Sequence, residues 1–185
     1  MKLHERIDGR LRSFIEAQPM FFVATAPSGP GGHVNVSPKG MAGTFAVLGE
    51  HRVAYLDYHG SGAETIAHLN ENGRITVMFC AFQGPPNIVR LHGQGRAVPV
   101  TSPDYAELAA VFPEPPDTHG VRSVIDIAVD RISDSCGYSV PLMTYEGDRD
   151  LLIRSHERRS VEDLAEYRRV KNAESIDGHP VFAKP

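Results

Sequence analysis

Tryptophan is absent from the 185 residues, cysteine occurs twice, and no uninterrupted apolar run approaches the ~20 residues that a membrane-spanning helix needs. Each absence narrows the possibilities. Cys80 and Cys136 stand far apart with no CxxC spacing, so they read as free thiols. Cys136, in SCGYS, is a candidate reactive thiol, although a lone cysteine is more often buried and inert. The opening MKLHERIDGRLR is charged where a secretory signal would carry its apolar core, so a cytoplasmic protein is expected. The nine histidines form no HExxH and none sits near a cysteine at zinc-finger spacing, so no metal site is expected. The formal charge is only −4, and basic residues are scattered apart from pairs such as Arg158 with Arg159. Nothing in that distribution favours nucleic acid. No GxSxG occurs, and both GQGRAV and GSGAET lack the third glycine of a dinucleotide fingerprint, which argues against a nucleophilic hydrolase and a Rossmann site. No catalytic residue can be named.

What is present suits one soluble domain, with 41% hydrophobic and 23% charged residues. Leu3, Ile7, Leu11, Phe14 and Ile15 recur at helical spacing, predicting an amphipathic helix over 2–17. MFFVATA (20–26) follows as an apolar strand. In HVNVSPKG, Val34 and Val36 alternate with Asn35 and Ser37, predicting one buried apolar face and one polar face. Further strands are expected over 44–48, 51–58, 74–82 and 88–100, the last bending at Gly93 and Gly95. Ser102 is the expected N-cap of a helix continuing through DYAELAAVF, PEPPDTHG (113–120) a loop, and 121–132 a long strand, with SCGYSVPLMTY running on extended to Tyr145. Ser160 then caps VEDLAEYRRVKN, and a tail follows. Strands outnumber helices and βαβ alternation does not persist, which predicts a mainly β (α+β) domain: a closed or partly closed antiparallel barrel with peripheral helices.

One stretch is organised for ligand binding. DYHGSGAETIAHLNENGR (57–74) reads as the tail of a strand, a Gly-rich turn and a short helix. Unpaired N–H groups and the helix dipole at such a turn suit a phosphate. The same residues also fit a capping box between Ser61 and Glu64. Nearby in character is HVNVSPKG, a strand offering peptide edges and ending in Lys39. A planar ring at the strand edge and a phosphate at the helix start would use both.

The order of SPKG, YLDYHGSGAETIAHLNENGRITVMF and RLHGQGRAV resembles the pyridoxamine 5'-phosphate oxidase-like family of FMN-binding split β-barrels, over about residues 10–180. Asn72, Gly73 and Arg74 stand where that family has Asn-Pro-Arg. The resemblance implies an FMN-dependent oxidoreductase acting on a small molecule, in a homodimer whose cofactor lies in a cleft between subunits. A deazaflavin or haem in place of FMN, or a non-catalytic flavin-binding dimer, are the alternatives. It places Asn35, Val36, Ser37 and Pro38 beside the ring, Lys39 facing the ligand, and Ser61 and Thr65 at the phosphate. The vitamin B6 oxidases carry an Arg-Lys pair after this serine, whereas here Gly62, Ala63, Glu64 and Thr65 follow. Charge neutralisation would then fall to Arg90 or Lys39. SCGYSVP would either reach toward the partner's cofactor or form a tight corner at Gly137 and Pro141.

Overall fold

The computed structural model describes residues 1–112, 115 and 117–182. Eight strands and five helices follow one another as β1 (Lys2–His4), α1 (Gly9–Glu16), β2 (Phe21–Thr25), β3 (Asn35–Lys39), β4 (Phe45–Gly49), β5 (Arg52–Tyr58), α2 (Glu64–Asn72), β6 (Arg74–Cys80), β7 (Ile88–Pro99), α3 (Tyr105–Ala109), β8 (Val121–Ser135), α4 (Leu151–Glu157) and α5 (Val161–Lys171). The strands form one antiparallel sheet in the order β3-β2-β6-β7-β8-β5-β4, with β1 added to the far end of β8. Its two ends are not joined by a ladder, but the sheet curls until Phe21 of β2 meets Phe45 of β4 with ring centroids 5.0 Å apart. The expected antiparallel split barrel with peripheral helices is therefore what forms.

Its interior holds an aromatic cluster in which Phe21, Phe45, Tyr55 and Phe79 contact edge-on or tilted, closed on one side by Leu11 and Ile15 of α1 and on another by Ile66 and Leu69 of α2. A second, smaller core of Leu56, Val98, Leu108, Phe112 and Val124 lies on the other face of β5 and β8, under α3. Strand β5 is consequently covered on both faces, which is why its sequence, VAYL, is apolar throughout instead of alternating.

Local chemistry moves several boundaries. The predicted helix over 2–17 begins only at Gly9, because the Asp8 carboxylate accepts from Leu11 N (2.8 Å) and caps it, while Lys2–His4 pair with Asp134, Ser133 and Ile132 of β8. The predicted helix after Ser102 shrinks to a short helix at Tyr105–Ala109 capped at Asp104. Beyond β8 the chain leaves the sheet: Val140 N donates to Gly137 O in a turn, and Met143 N donates to Phe82 O (2.9 Å). Gly137 sits at φ +64 against the Asn87 backbone, so the corner predicted there is real. Helix α4 carries no clear apolar period and was not anticipated. The Ser160 cap was, and it forms a full capping box with Asp163. Of the predicted loop at 113–120, Pro113, Glu114 and Pro116 lie outside the described residues. Cys136, expected to be buried and inert like most lone cysteines, is exposed, and Cys80 is buried. Among the described residues no helix is long and apolar enough to cross a membrane.

The bend in β7 has a steric cause. Its register against β8 shifts between His92 and Gly93, and a Cβ on Gly93 would collide with the Ala128 carbonyl.

Candidate functional site

Strand β3 is turned over relative to the sequence expectation. Val34 and Val36 are 70% and 62% exposed, and the polar residues Asn35, Ser37 and Lys39 point inward. Inward here means a hydrogen-bonded layer between β2, β3, β5 and α2. Asn35 Nδ2 donates to Thr65 Oγ1 (3.1 Å) and Thr25 Oγ1 (3.3 Å), and Ser37 Oγ donates to Asn35 Oδ1 (2.9 Å). Thr25 Oγ1 also meets His68 Nδ1 at 2.9 Å. Alternation told the two faces apart correctly, yet it could not say which one the protein interior would satisfy. A half-buried polar face is acceptable where its groups find partners, as Asn35, Ser37 and Thr25 do, whereas His68 Nε2 is buried without one. Val36 and Pro38 consequently lie on the outer face, away from Thr65.

Lys39 reaches a buried carboxylate: its Nζ lies 3.3 Å from Asp57 Oδ1. Asp57 is 1% exposed and also takes Arg122 Nε at 2.5 Å and Ser123 Oγ at 3.3 Å. Burial alone would push the Asp57 carboxyl up, but the Arg122 and Lys39 charges outweigh it and hold the group below the usual carboxylate range. Burial, joined by the Asp57 charge, raises the Tyr55 phenol.

Arg122, 3% exposed, carries the arrangement on to the Gly-rich turn. Its Nη2 donates to Gly62 O (2.8 Å) and its Nη1 to Gly60 O (3.5 Å) and Asn172 Oδ1 (2.9 Å). Asn172 Nδ2 donates to Gly60 O as well (2.9 Å). Helix α2 then starts with Ala63 at its N-cap and no side-chain cap bond. The Ser61–Glu64 capping box is therefore not made, since Ser61 is exposed and Glu64 folds its carboxylate against Gly62. The first-turn N–H groups of α2 are left without a side-chain acceptor, beside buried Thr65.

Arg90 lies elsewhere within the protomer. It pairs with Ser133 on β8 and donates to Ser135 Oγ (3.1 Å), whereas the end of β5 that leads into the turn, Tyr58, pairs with Val121. At ~3.3 Å per residue, the twelve positions between them on β8 amount to on the order of 40 Å. The structure thus brings Asn35, Ser37, Lys39 and Thr65 together with the turn bearing Ser61, and leaves Val36, Pro38 and Arg90 on other surfaces. Arg122, Asp57 and Asn172 were missed. Asp57 was visible only as the start of the turn motif, and an arginine inside an otherwise apolar strand (VRSVIDI) was the one signal that a buried charge needed a partner.

The end of α2 also departs from the resemblance. Gly73 takes φ +71 and its N–H returns to Leu69 O, a left-handed cap that proline, fixed near φ −65°, cannot adopt. Asn72 still does the positioning, donating to Ala26 O (2.9 Å) and accepting from Arg74 N (2.9 Å).

The fold is a split barrel with a polar, hydrogen-bonded layer between edge strand β3 and the start of α2, and sequence comparison gives the family. The model of the pyridoxamine 5'-phosphate oxidase family matches residues 7–136, and the chain belongs to that family. It is similar to the pyridoxamine 5'-phosphate oxidase family protein ustO of Aspergillus flavus, with 38% identity over 96% of this chain and 76% of that protein. Among solved structures it is similar in fold to HupZ of Group A Streptococcus, at 20% identity over 75% of this chain and 99% of that one, with a TM-score of 0.54. A single-substitution variant of HupZ gives 22% identity over 70% and 99%, again with a TM-score of 0.54.

Proposed function

We propose that this chain is an FMN-dependent oxidoreductase acting on a small molecule, working as a cytoplasmic homodimer with the cofactor in a cleft between subunits. The observation that carries the reading is the turn from Gly60 to Thr65. Its Gly60 and Gly62 carbonyls are held inward by Arg122 and Asn172, and the start of α2 is uncapped. Donors left free in this way suit a phosphate. Ser61 and Thr65 add hydroxyls, and Asn35, Ser37 and Lys39 supply the polar wall toward which a ring system would lie. Flavin, when bound, would supply hydride transfer, and the protein's part would be orientation and electrostatics.

The residues fit the group with one opposing feature. Glu64 lies against Gly62 and repels an anion, and the cations of this layer, Arg122 and Lys39, already share Asp57. FMN affinity is therefore expected to be modest. Exposed apolar side chains, Val34 and Val36 on the outer face of β3 and Tyr138, Leu142 and Met143 beyond β8, support burial against a second copy.

The test is a titration of the purified protein with FMN and with riboflavin, followed by flavin fluorescence and the visible spectrum. Saturable binding with a preference for FMN is the expected result. No binding of either flavin removes the reading, and a haem or deazaflavin spectrum in the purified protein would replace FMN by that cofactor.

A further inference from the structure

The C-terminal segment, residues 151–182, lies beyond the residues the family model matches, yet it is bonded into the Gly-rich turn at three points. His156 Nε2 donates to His59 O (3.1 Å), Asn172 Nδ2 donates to Gly60 O (2.9 Å), and Arg168 Nη1 donates to His59 Nε2 (2.8 Å). Asn172 is fully buried and His156 is 1% exposed. His156 is itself held by Asp117 (Nδ1 to Oδ2, 2.6 Å), and His59 Nδ1 donates to Gly120 O (2.8 Å). Five residues past Asn172, Asp177 accepts from His33 N (2.8 Å) and pairs with His33 Nδ1 (2.6 Å), just before β3. One stretch of chain thus braces both walls of the candidate site.

Fixing these carbonyls has a directional consequence. A trans peptide is planar with its C=O and N–H pointing opposite ways, and no described peptide is cis. Gly60 O drawn inward toward Arg122 and Asn172 turns Ser61 N–H outward, and Gly62 O drawn toward Arg122 does the same for Ala63 N–H. Without partners for those carbonyls, a turn with glycine at both positions would have wide conformational freedom.

We infer that the C-terminal segment is a clamp that sets the turn's donor geometry, with Asn172 as its positioning residue. This rests on the phosphate reading of the turn, and it adds that the segment outside the matched family region governs how well the phosphate is held. Asn172 is suited to the role because one amide satisfies both sides, donating to Gly60 O and accepting from Arg122.

The experiment compares wild type with Asn172→Ala and Asn172→Asp by FMN and riboflavin titration, and by hydrogen exchange of the flavin-free proteins. Asn172→Ala is expected to weaken FMN at least ten-fold and leave riboflavin nearly unchanged. Asn172→Asp, which keeps the acceptor for Arg122 and loses the donor to Gly60 O, should do likewise. Equal weakening of both flavins, or none, overturns the positioning role. If wild type binds neither flavin, the phosphate reading fails separately, and exchange decides the clamp: amides of 60–65 should exchange at least ten-fold faster in Asn172→Ala, with the β6 and β7 amides unchanged. Unchanged exchange in the turn, or acceleration spread evenly over the sheet, overturns it.

Discussion

Removing the Asp57 carboxylate is the sharpest perturbation the fold offers. Four donors converge on it: Arg122 through Nε (2.5 Å) and Nη2 (3.4 Å), Lys39 Nζ (3.3 Å) and Ser123 Oγ (3.3 Å). Asp57→Ala leaves the Arg122 guanidinium buried with its main counter-charge gone, and breaking a buried pair from one side costs about 3–5 kcal/mol. Against a typical domain stability of about 5–15 kcal/mol, that is a large share of the folding free energy and should read as a clearly lowered urea midpoint. Lys39→Met is the control. Its side chain is about a quarter exposed, Asp57 keeps Arg122, and the loss should stay near ~1 kcal/mol or below. In the double variant Asp57→Ala with Arg122→Met the unpaired charge is gone, so the pair should cost at least ~2 kcal/mol less than the sum of the singles. Urea unfolding with an unchanged m-value measures the wild type and the four variants, Arg122→Met alone included. Additive losses, or an Asp57→Ala cost no greater than that of Lys39→Met, would refute the claim that this pair is coupled and buried. The sign with pH follows from the depressed Asp57 pKa. The stabilisation is present above the unfolded value of 3.8 and is lost as pH falls through the lower folded value.

Other outcomes follow from the packing and from a second titrating group. Gly93→Ala should destabilise by about 1–3 kcal/mol, read as a lower Tm, because its Cβ meets the Ala128 backbone, which cannot rotate away. Burial, joined by the Arg168 and Arg122 charges, pushes the His59 ring down to about 4 against the hydrogen bond to Gly120 O. Between pH 6.5 and about 4 the unfolded chain therefore binds the extra proton, and stability should fall as pH falls across that window, a slope that His59→Gln should flatten in acid titrations of urea midpoints. If the proposed dimer covers the exposed outer face of β3, Val36→Lys should shift the protein toward monomer in sedimentation velocity while leaving the fold intact; a wild type that is already monomeric refutes the dimer, and a variant as dimeric as wild type refutes this contact.

How far these features could be read from sequence depends on the range of the interaction that sets them. Local chemistry was legible: the Ser160 cap, the Gly93 bulge, the Gly137 corner and the strand-turn-helix around Gly60 each follow from residues a few positions apart. Face assignment was not. The Val/Asn/Val/Ser alternation in β3 is equally regular whichever face is buried, and the choice was made by Thr25, Thr65 and His68, which reach Asn35 or its hydrogen-bond partner from other elements. The same holds for the turn at Gly60. Taken alone, Ser61 and Glu64 allow a capping box, but a capping box needs the chain to enter the helix at Ser61, and here the helix begins two residues later. Arg122, 62 residues further on, and Asn172, 112 residues further on, take the Gly60 carbonyl and fix that entry. An arginine in a buried strand signals that some acceptor must meet it, while its identity lies in the closure of the barrel. The missing Arg-Lys pair therefore has a physical counterpart. Cationic charge near the turn is present, but it is committed to Asp57 and to backbone carbonyls, where it orders the donors; under the proposed phosphate reading the anion is then held by N–H groups.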